Sequence, residues 1–176
     1  MTLAACLSQV AIPVFVMVRP RAGNFHYSAA EHTAMLDETR RVKDAGAQGI
    51  VTGTLRPDGS IDETRTRALI AAARPLPVTF HRAFDECGDP VQALETVIAL
   101  GATRVLTSGQ ATTAPEGAAA IANLVRLAAG RIGIVAGGGI AGHNVAALLH
   151  ATGVREVHLS ARHADKVRRV VEAVRR

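Results

Sequence analysis

One pattern occurs three times in this chain of 176 residues, and it limits the folds that the chain can adopt. Its copies share the end of a helix, a glycine, a short link and an apolar strand that closes on Ser, Thr or Gly. They are DAGAQGIVTGTL (44–55), ALGATRVLTSGQ (99–110) and ATGVREVHLSAR (151–162). Glycine suits the left-handed position that follows a helix. Because this join of helix and strand recurs, the sequence predicts a chain built from βα units.

Six apolar runs are the predicted strands of these units. Most are apolar at nearly every position rather than at alternate positions, which is typical of a parallel sheet covered on both faces. The runs are residues 14–20, 49–55, 78–84, 104–109, 132–138 and 156–161. No linker or low-complexity segment separates them. We therefore expect residues 1–176 to form a single domain.

Polar residues before the apolar periods mark where the predicted helices begin. The segments SAAE (28–31) and SIDE (60–63) each have the spacing of a capping box. Asp89 is an N-cap residue, and Pro90 after it is compatible with the first helical turn. These signals lie between the predicted strands, as alternating βα units require.

The residues at the strand ends distinguish an open doubly wound sheet from a barrel. Functional side chains gather at the carboxyl ends of many strands in a barrel, whereas an open sheet concentrates them at one switch point. Almost every predicted strand here ends in polar or flexible residues. We therefore predict an α/β fold of the (β/α)8 TIM-barrel type. About six βα units are present, so the first two strands of an eight-stranded barrel are expected to be missing.

The segment VTFHRAFD (78–85) supplies the first candidate catalytic residues. The period of two along a strand places Thr79 and His81 on the same face. His81, Arg82 and Asp85 are catalytic candidates because strongly polar groups converge at one strand end. His81 and Asp85 would lie about 13 Å apart in an extended chain, too far for a hydrogen bond unless the loop folds back. Structural roles for each of the three remain the alternative.

Two arginines at the end of the first strand are candidate anion-binding residues. Arg19 and Arg21 flank Pro20 and can offer planar donor groups to a carboxylate or phosphate. Arg19 is also a catalytic candidate. An internal ion pair with Asp85 or Glu86 is the alternative role for these arginines.

The stretch IVAGGGIAGHN (134–144) is a second candidate anion site. Glycine lets the backbone approach a ligand closely, and a helix that begins near Asn144 would direct its amides to the same place. The candidate residues are Gly137, Gly138 and Gly139. Further candidates end the corresponding repeats: Ser108 and Ser160 for anion binding, and His158 for catalysis.

Composition argues against several other classes of function. The net charge is +5, but much of the basic charge lies in RHADKVRRVVEAVRR (162–176), which has the apolar spacing of an amphipathic helix. Aromatic residues make up 3% of the chain, so stacking platforms for nucleic acid are missing. No apolar run is long enough to span a membrane, and the N-terminus lacks the basic start of a secretory signal. We expect a cytoplasmic protein with no nucleic acid or membrane partner.

The strand ends carry six motifs: RPRAGNFHYS (19–28), GIVTGTLRPDGSID (49–62), VTFHRAFDECGDP (78–90), GATRVLTSGQ (101–110), GGGI (137–140) and EVHLSAR (156–162). Taken together, these motifs resemble those of the CutC family, the copper homeostasis proteins. The resemblance implies a (β/α)8 barrel, a cytoplasmic location and copper handling by direct binding of Cu(I). Copper is the only cofactor that the resemblance implies. By this resemblance the chain is expected to be an N-terminally shortened member of the family.

Two hypotheses about function stay open at this point. In the first, the chain handles copper, and Cys87 is the candidate metal ligand because Cu(I) prefers thiolates. In the second, a barrel enzyme or its degenerate relative acts on a small anionic or phosphorylated substrate. There Arg19 or Arg21 grips the anion, and His81 is the acid or base with Asp85 in support. Exposed edges of an incomplete barrel also predict a homo-oligomer.

Overall fold

The structure is a computed structural model that describes residues 3–175. A sheet of six parallel strands forms its centre. The strands are β1 Phe15–Met17, β2 Gly49–Thr52, β3 Val78–Phe80, β4 Arg104–Thr107, β5 Gly133–Gly137 and β6 Glu156–His158. Their spatial order equals their order in the sequence. A sheet of consecutive parallel strands is the wall of a TIM-type barrel, so the predicted fold is confirmed for six of its units.

The helices are α1 Leu3–Gln9, α2 Ala29–Asp44, α3 Glu63–Ala73, α4 Pro90–Leu100, α5 Ala118–Ala128, α6 Val145–Thr152 and α7 Ala164–Val174. Helices α2 to α6 connect consecutive strands, α1 precedes β1 and α7 follows β6, and the helices from α2 to α7 pack against one another in sequence order. A short 3-10 helix, Arg82–Glu86, follows β3. None of the helices within residues 3–175 has both the length and the apolar character needed to cross a membrane.

The two faces of the sheet are covered to different degrees. Toward the helices, Ile50, Phe80 and Val105 are at most 1% exposed and form part of the core. On the concave face, residues such as Met17 and Leu106 line an open cavity of about 380 Å³. Met17 is 51% exposed there. The apolar strand sequences thus reflect a barrel wall with helices outside. The expected burial of both faces is confirmed for the inner strands β3, β4 and β5, whereas the edge strands β1 and β6 are open.

Two of the three predicted helix starts are confirmed. Ser28 and Glu31 form a complete capping box at α2, and Asp89 accepts hydrogen bonds from the first amides of α4. The box predicted at residues 60–63 is wrong, because Asp62 caps α3 by accepting from Arg65 N. An aspartate one residue before the helix provides that acceptor directly.

The predicted strand over residues 78–84 ends early, at Phe80. His81 turns the chain: its Nδ1 accepts from Ala83 N at 3.2 Å, and its carbonyl oxygen accepts from Phe84 N at 3.0 Å. These two contacts wind the next five residues into the 3-10 helix. The polar residues that follow β3 therefore fold back over the strand ends.

Candidate functional site

Asp85 lies at the centre of a hydrogen-bonded network at the end of β4. Its carboxylate accepts from Arg82 Nε at 2.7 Å, from Ser108 N at 3.1 Å and from Gln110 N at 3.2 Å. The Thr107 hydroxyl donates to the same carboxylate. The side chain is only 8% exposed. We call Arg82, Asp85, Thr107 and Ser108 the Asp85 network, in which the carboxylate anchors the loop after β4.

Arg82 is the member of this network that reaches solvent, with 42% of its side chain exposed. Besides its bond to Asp85, it donates from Nη2 to Ser108 Oγ at 2.6 Å. Its remaining nitrogen, Nη1, lies 3.4 Å from the point that a Cβ on Gly138 would occupy. Arg82 is therefore held by two partners with its third nitrogen directed at the glycine turn.

The turn after β5 contains the three candidate glycines. Gly138 and Gly139 have φ angles of +102° and +72°, which favour glycine, and a Cβ on Gly137 would lie 2.6 Å from Leu106 Cδ1. Asn144 precedes α6, as predicted, and its Nδ2 donates to Gly139 O at 2.9 Å. The turn is thus fixed in a shape that leaves its backbone next to Arg82.

His81 lies apart from Asp85, in a second group of side chains. Its ring is 2% exposed and packs 4.7 Å from the ring of Phe25, centroid to centroid. Burial, assisted by the charge of Arg19, lowers the pKa of His81 to about 4. The ring is therefore neutral at pH 7, and the predicted support of His81 by Asp85 has no counterpart among the contacts of either residue.

Arg19 and Tyr27 belong to the same group. The Arg19 guanidinium lies 4.4 Å above the centre of the Phe25 ring and donates from Nη2 to Gly23 O at 2.5 Å. Burial raises the pKa of Tyr27, and both the charge of Arg19 and the approach of the Arg19 side chain to the Tyr27 hydroxyl oppose that increase. Arg19 Nε, Tyr27 Oη and His81 Nε2 are buried without hydrogen-bond partners. We call Arg19, Phe25, Tyr27 and His81 the Arg19 cluster.

Arg21 has a different environment from Arg19. It donates from Nε to Glu31 at 2.6 Å and from Nη2 to His26 O at 2.6 Å. It therefore forms an internal ion pair, although with Glu31 at the start of α2 rather than with the acidic residues 85 and 86. Its guanidinium holds the loop between β1 and α2.

The last two candidates lie at the end of the edge strand β6 and just beyond it. His158 ends β6, and although the residue is exposed overall, partial burial of its ring lowers the ring pKa. A Cβ on Gly137 would be 3.4 Å from His158 Cβ, so His158 adjoins the glycine turn. Ser160 is exposed. Of the predicted residues, the structure brings Arg82, Asp85 and Ser108 together, and Arg19 with His81.

Cys87 does not fit a Cu(I) site. Its thiol is 5% exposed and its Sγ lies 3.7 Å from Ala83 O. Burial, together with the charges of Asp85 and Glu86, raises the pKa of Cys87 to about 11. Cu(I) prefers thiolate, and this thiol stays protonated at neutral pH. Within residues 3–175, no three His, Cys, Asp or Glu side chains are grouped so that they could hold a metal ion.

Sequence reasoning missed three residues of these two groups and one, Gln110, that bonds to the Asp85 network. Thr107 and Gln110 both donate to Asp85, and Gln110 also donates to the Cys87 carbonyl oxygen. Phe25 and Tyr27 lie in the segment 19–28, and the only sequence signal that could have indicated their role was that both are aromatic. A period of two predicts which face of a strand a residue occupies, but it does not apply to these loops.

The fold and the strand-end residues define a TIM-barrel-type protein whose polar groups meet at the carboxyl ends of its strands. The model of the CutC family matches residues 2–163. A CutC family protein of Pasteurella multocida is 52% identical over 149 residues, which cover 85% of this chain and 61% of the relative. The human copper homeostasis protein cutC homolog is 50% identical over 153 residues, covering 87% of this chain and 56% of the relative.

Solved structures agree with these sequence comparisons. A CutC protein from Streptococcus agalactiae superimposes with a TM-score of 0.83 at 34% identity, over 88% of this chain and 75% of that one. An aldolase at 16% identity has a TM-score of 0.69, which shows the fold alone. This chain belongs to the CutC family. It spans about three fifths of the length of the curated relatives that it matches.

Proposed function

We propose that this chain acts in copper homeostasis, the role in the name of its human relative. The observation that carries the proposal is the 50% identity to that protein over 87% of this chain. The test is growth in copper of a bacterial strain that lacks its own CutC family gene. Expression of this chain should restore copper tolerance, and equal sensitivity with and without the chain would contradict the proposal.

The contribution of this chain to copper homeostasis does not depend on Cu(I) held by Cys87. The protonated, buried thiol supports this part of the proposal. A Cys87→Ser variant should compete with a Cu(I) chelator as well as wild type does, and it should restore tolerance equally well. Tight, stoichiometric Cu(I) binding that the variant loses would contradict it.

A second candidate function is recognition of a small oxyanion between Arg82 and the glycine turn. The observation that favours it is the position of Arg82 Nη1 beside Gly138, while Asp85 and Ser108 hold the rest of the guanidinium. Phosphate or a phosphorylated substrate would accept from Nη1 and from the backbone amides of the turn. Catalysis by His158, which adjoins the glycine turn, remains a prediction, as does catalysis by His81 in the separate group around Arg19.

Thermal unfolding in phosphate tests this second candidate. A ligand that binds only the folded state raises Tm with its concentration, so wild type should show a phosphate-dependent increase that Arg82→Gln lacks. Arg168→Gln is the matched control, because Arg168 is an exposed arginine on α7 with 70% of its side chain accessible. An increase of equal size in all three proteins would contradict a site at Arg82.

We also propose a cytoplasmic, homo-oligomeric protein. The two free cysteines, Cys6 and Cys87, support a reducing compartment. The unpaired edges of β1 and β6, with Ile12 exposed to 72% and Met17 to 51%, support self-association. Light scattering after size-exclusion chromatography measures the mass, and a monodisperse monomer over a wide range of concentration would contradict association.

A further inference from the structure

Three buried polar atoms of the Arg19 cluster have no hydrogen-bond partner: Arg19 Nε, Tyr27 Oη and His81 Nε2. Leaving one such group unpaired costs about 1 to 3 kcal/mol, so buried polar atoms are almost always paired. These three are the buried side-chain nitrogen and oxygen atoms without a partner in the part of the chain that the structure describes. Their occurrence in one cluster indicates a shared function.

The bond to Ala83 identifies the proton that His81 carries. The Ala83 N–H donates to Nδ1, so this nitrogen is the acceptor of the ring. A neutral imidazole has one proton, which must then lie on Nε2. His81 Nε2 is therefore a donor, and it has no free lone pair for a metal ion. Arg19 Nε is a charged donor, and the Tyr27 hydroxyl can donate as well.

The Phe25 ring contacts two of these three residues, Arg19 and His81. It lies 4.4 Å from the Arg19 guanidinium and 4.7 Å from the His81 ring, and Phe25 is 5% exposed. The Phe25 carbonyl oxygen accepts from Leu55 N at 3.0 Å, so the backbone at this position is anchored. Rotation of the side chain is consequently the movement that would uncover the donors of Arg19 and His81.

We propose that Arg19, Tyr27 and His81 bind the carboxylate group of a small molecule, and that the Phe25 ring covers this site and turns aside to admit it. One positive charge and two neutral donors match a group that carries a single negative charge and accepts several hydrogen bonds. A phosphate dianion would keep an unmatched charge in a buried position. No residue of this site belongs to the Asp85 network, so the inference does not depend on the oxyanion site at Arg82.

Nitrogen NMR of protein labelled in its histidine rings tests the proposal with acetate as the probe. At pH 7 the His81 signals, assigned with His81→Gln, should show the proton on Nε2 and should move to saturation as acetate is added. Tyr27→Phe should weaken acetate binding about fivefold, the loss expected for one neutral hydrogen bond. Phe25→Ala should tighten it about tenfold, because the ring no longer has to move.

Phe15→Ala is the matched control for Phe25→Ala, since Phe15 packs against Gly49 at the opposite ends of the strands. Its acetate affinity should equal that of wild type. Tyr27→Phe removes a single oxygen atom and keeps the test decisive if Phe25→Ala fails to fold. Arg82→Gln should retain acetate binding, so loss of the phosphate effect and loss of this site can be told apart.

Several results would overturn the inference. The first is an NMR spectrum that shows the His81 proton on Nδ1. The second is a set of His81 signals that do not move with acetate in wild type or in Phe25→Ala. The third is a response of these signals to phosphate that equals their response to acetate. A shift of the His81 signals with protein concentration in the absence of acetate would also overturn the inference, because a side-chain carboxylate of a second copy would then be the acceptor.

Discussion

The Asp85 network and the Arg19 cluster both lie at the carboxyl ends of the strands, but their hydrogen bonding differs. In the network one carboxylate accepts from donors on Arg82, Thr107, Ser108 and Gln110. In the cluster three buried donors have no acceptor. The network is thus complete within the chain, whereas the cluster requires a group from outside it. Similar residue types at similar strand ends can therefore stabilise the fold in one place and bind a ligand in another.

Asp85→Asn should cause the largest change, because an amide nitrogen would then face several donors. The pair with Arg82 is only half-buried, but each hydrogen bond to a charged group contributes about 1.5 to 3 kcal/mol. Since Asp85 accepts several, we expect a loss of about 3 kcal/mol in the free energy of unfolding. Urea denaturation measures it. A loss no larger than that of an exposed substitution such as Asp37→Asn, in which the aspartate side chain is 68% exposed, would show that the network is not the anchor of the β4 loop.

Acidification should destabilise the protein through His81. The folded pKa is about 4 against an ordinary value of 6.5, so the unfolded state binds a proton in this interval that the folded state does not. The neutral His81 ring makes its full contribution to the free energy of unfolding above pH 6.5. This contribution, roughly 3 kcal/mol in total, is lost as the pH falls toward 4.

His81→Gln is the control for this pH dependence, since glutamine keeps an acceptor oxygen and does not titrate in this range. The difference between the unfolding free energies of wild type and variant should narrow from pH 6.5 to 4. Two curves that stay parallel over the interval would mean that His81 is not held neutral in the folded state.

Thr107→Val should have an intermediate effect. Valine keeps the shape of threonine but removes the hydroxyl that donates to Asp85 and accepts from Gly109 N at 2.8 Å. We expect a loss of about 1 to 2 kcal/mol in the free energy of unfolding. Thr33→Val is the control, because Thr33 is an exposed residue of α2, and its change should stay within about 0.5 kcal/mol. Equal losses of unfolding free energy in Thr107→Val and Thr33→Val would contradict a stabilising role for the Thr107 hydroxyl.

Tyr27→Phe should have the smallest effect on stability and the opposite sign. The hydroxyl is buried without a partner, so its removal should raise the free energy of unfolding by up to about 1 kcal/mol. Chemical denaturation of Tyr27→Phe and Thr107→Val under the same conditions compares their free energies of unfolding. A marked loss of stability in Tyr27→Phe would indicate that the hydroxyl has a partner within the folded chain.

The sequence predicted the number, order and start of the strands better than their ends. The predicted start at residue 78 agrees with the structure, but β3 stops at Phe80, where His81 bonds to the next backbone amides. Apolar character identifies the part of a strand that is buried in the wall. The polar residues beyond it fold according to local hydrogen bonds, which the period of two does not describe.

The sequence predicted that candidate residues lie at the strand ends, but it did not predict which of them contact one another. Arg82, Asp85 and Ser108 are close because the carboxyl ends of neighbouring parallel strands meet. The separation of His81 from Asp85 depends on the 3-10 turn between them, and the partner of Arg21 depends on the loop that leads into α2. Contacts made within such loops follow from particular side-chain hydrogen bonds, so strand position alone does not specify them.

The sequential order of the strands also bears on how stability is distributed along the chain. Within residues 3–175, each strand pairs only with the strands immediately before and after it, and the helices from α2 to α7 pack on their neighbours in sequence. Stability can then be approximated as a sum of terms for single units and for nearest-neighbour interfaces, as in repeat proteins. A βα unit at either end contributes one interface, whereas a central unit such as that of β3 contributes two. A destabilising substitution in the middle of the sheet should therefore lower the stability of the whole chain, whereas one at an end should lower the stability of the neighbouring unit alone.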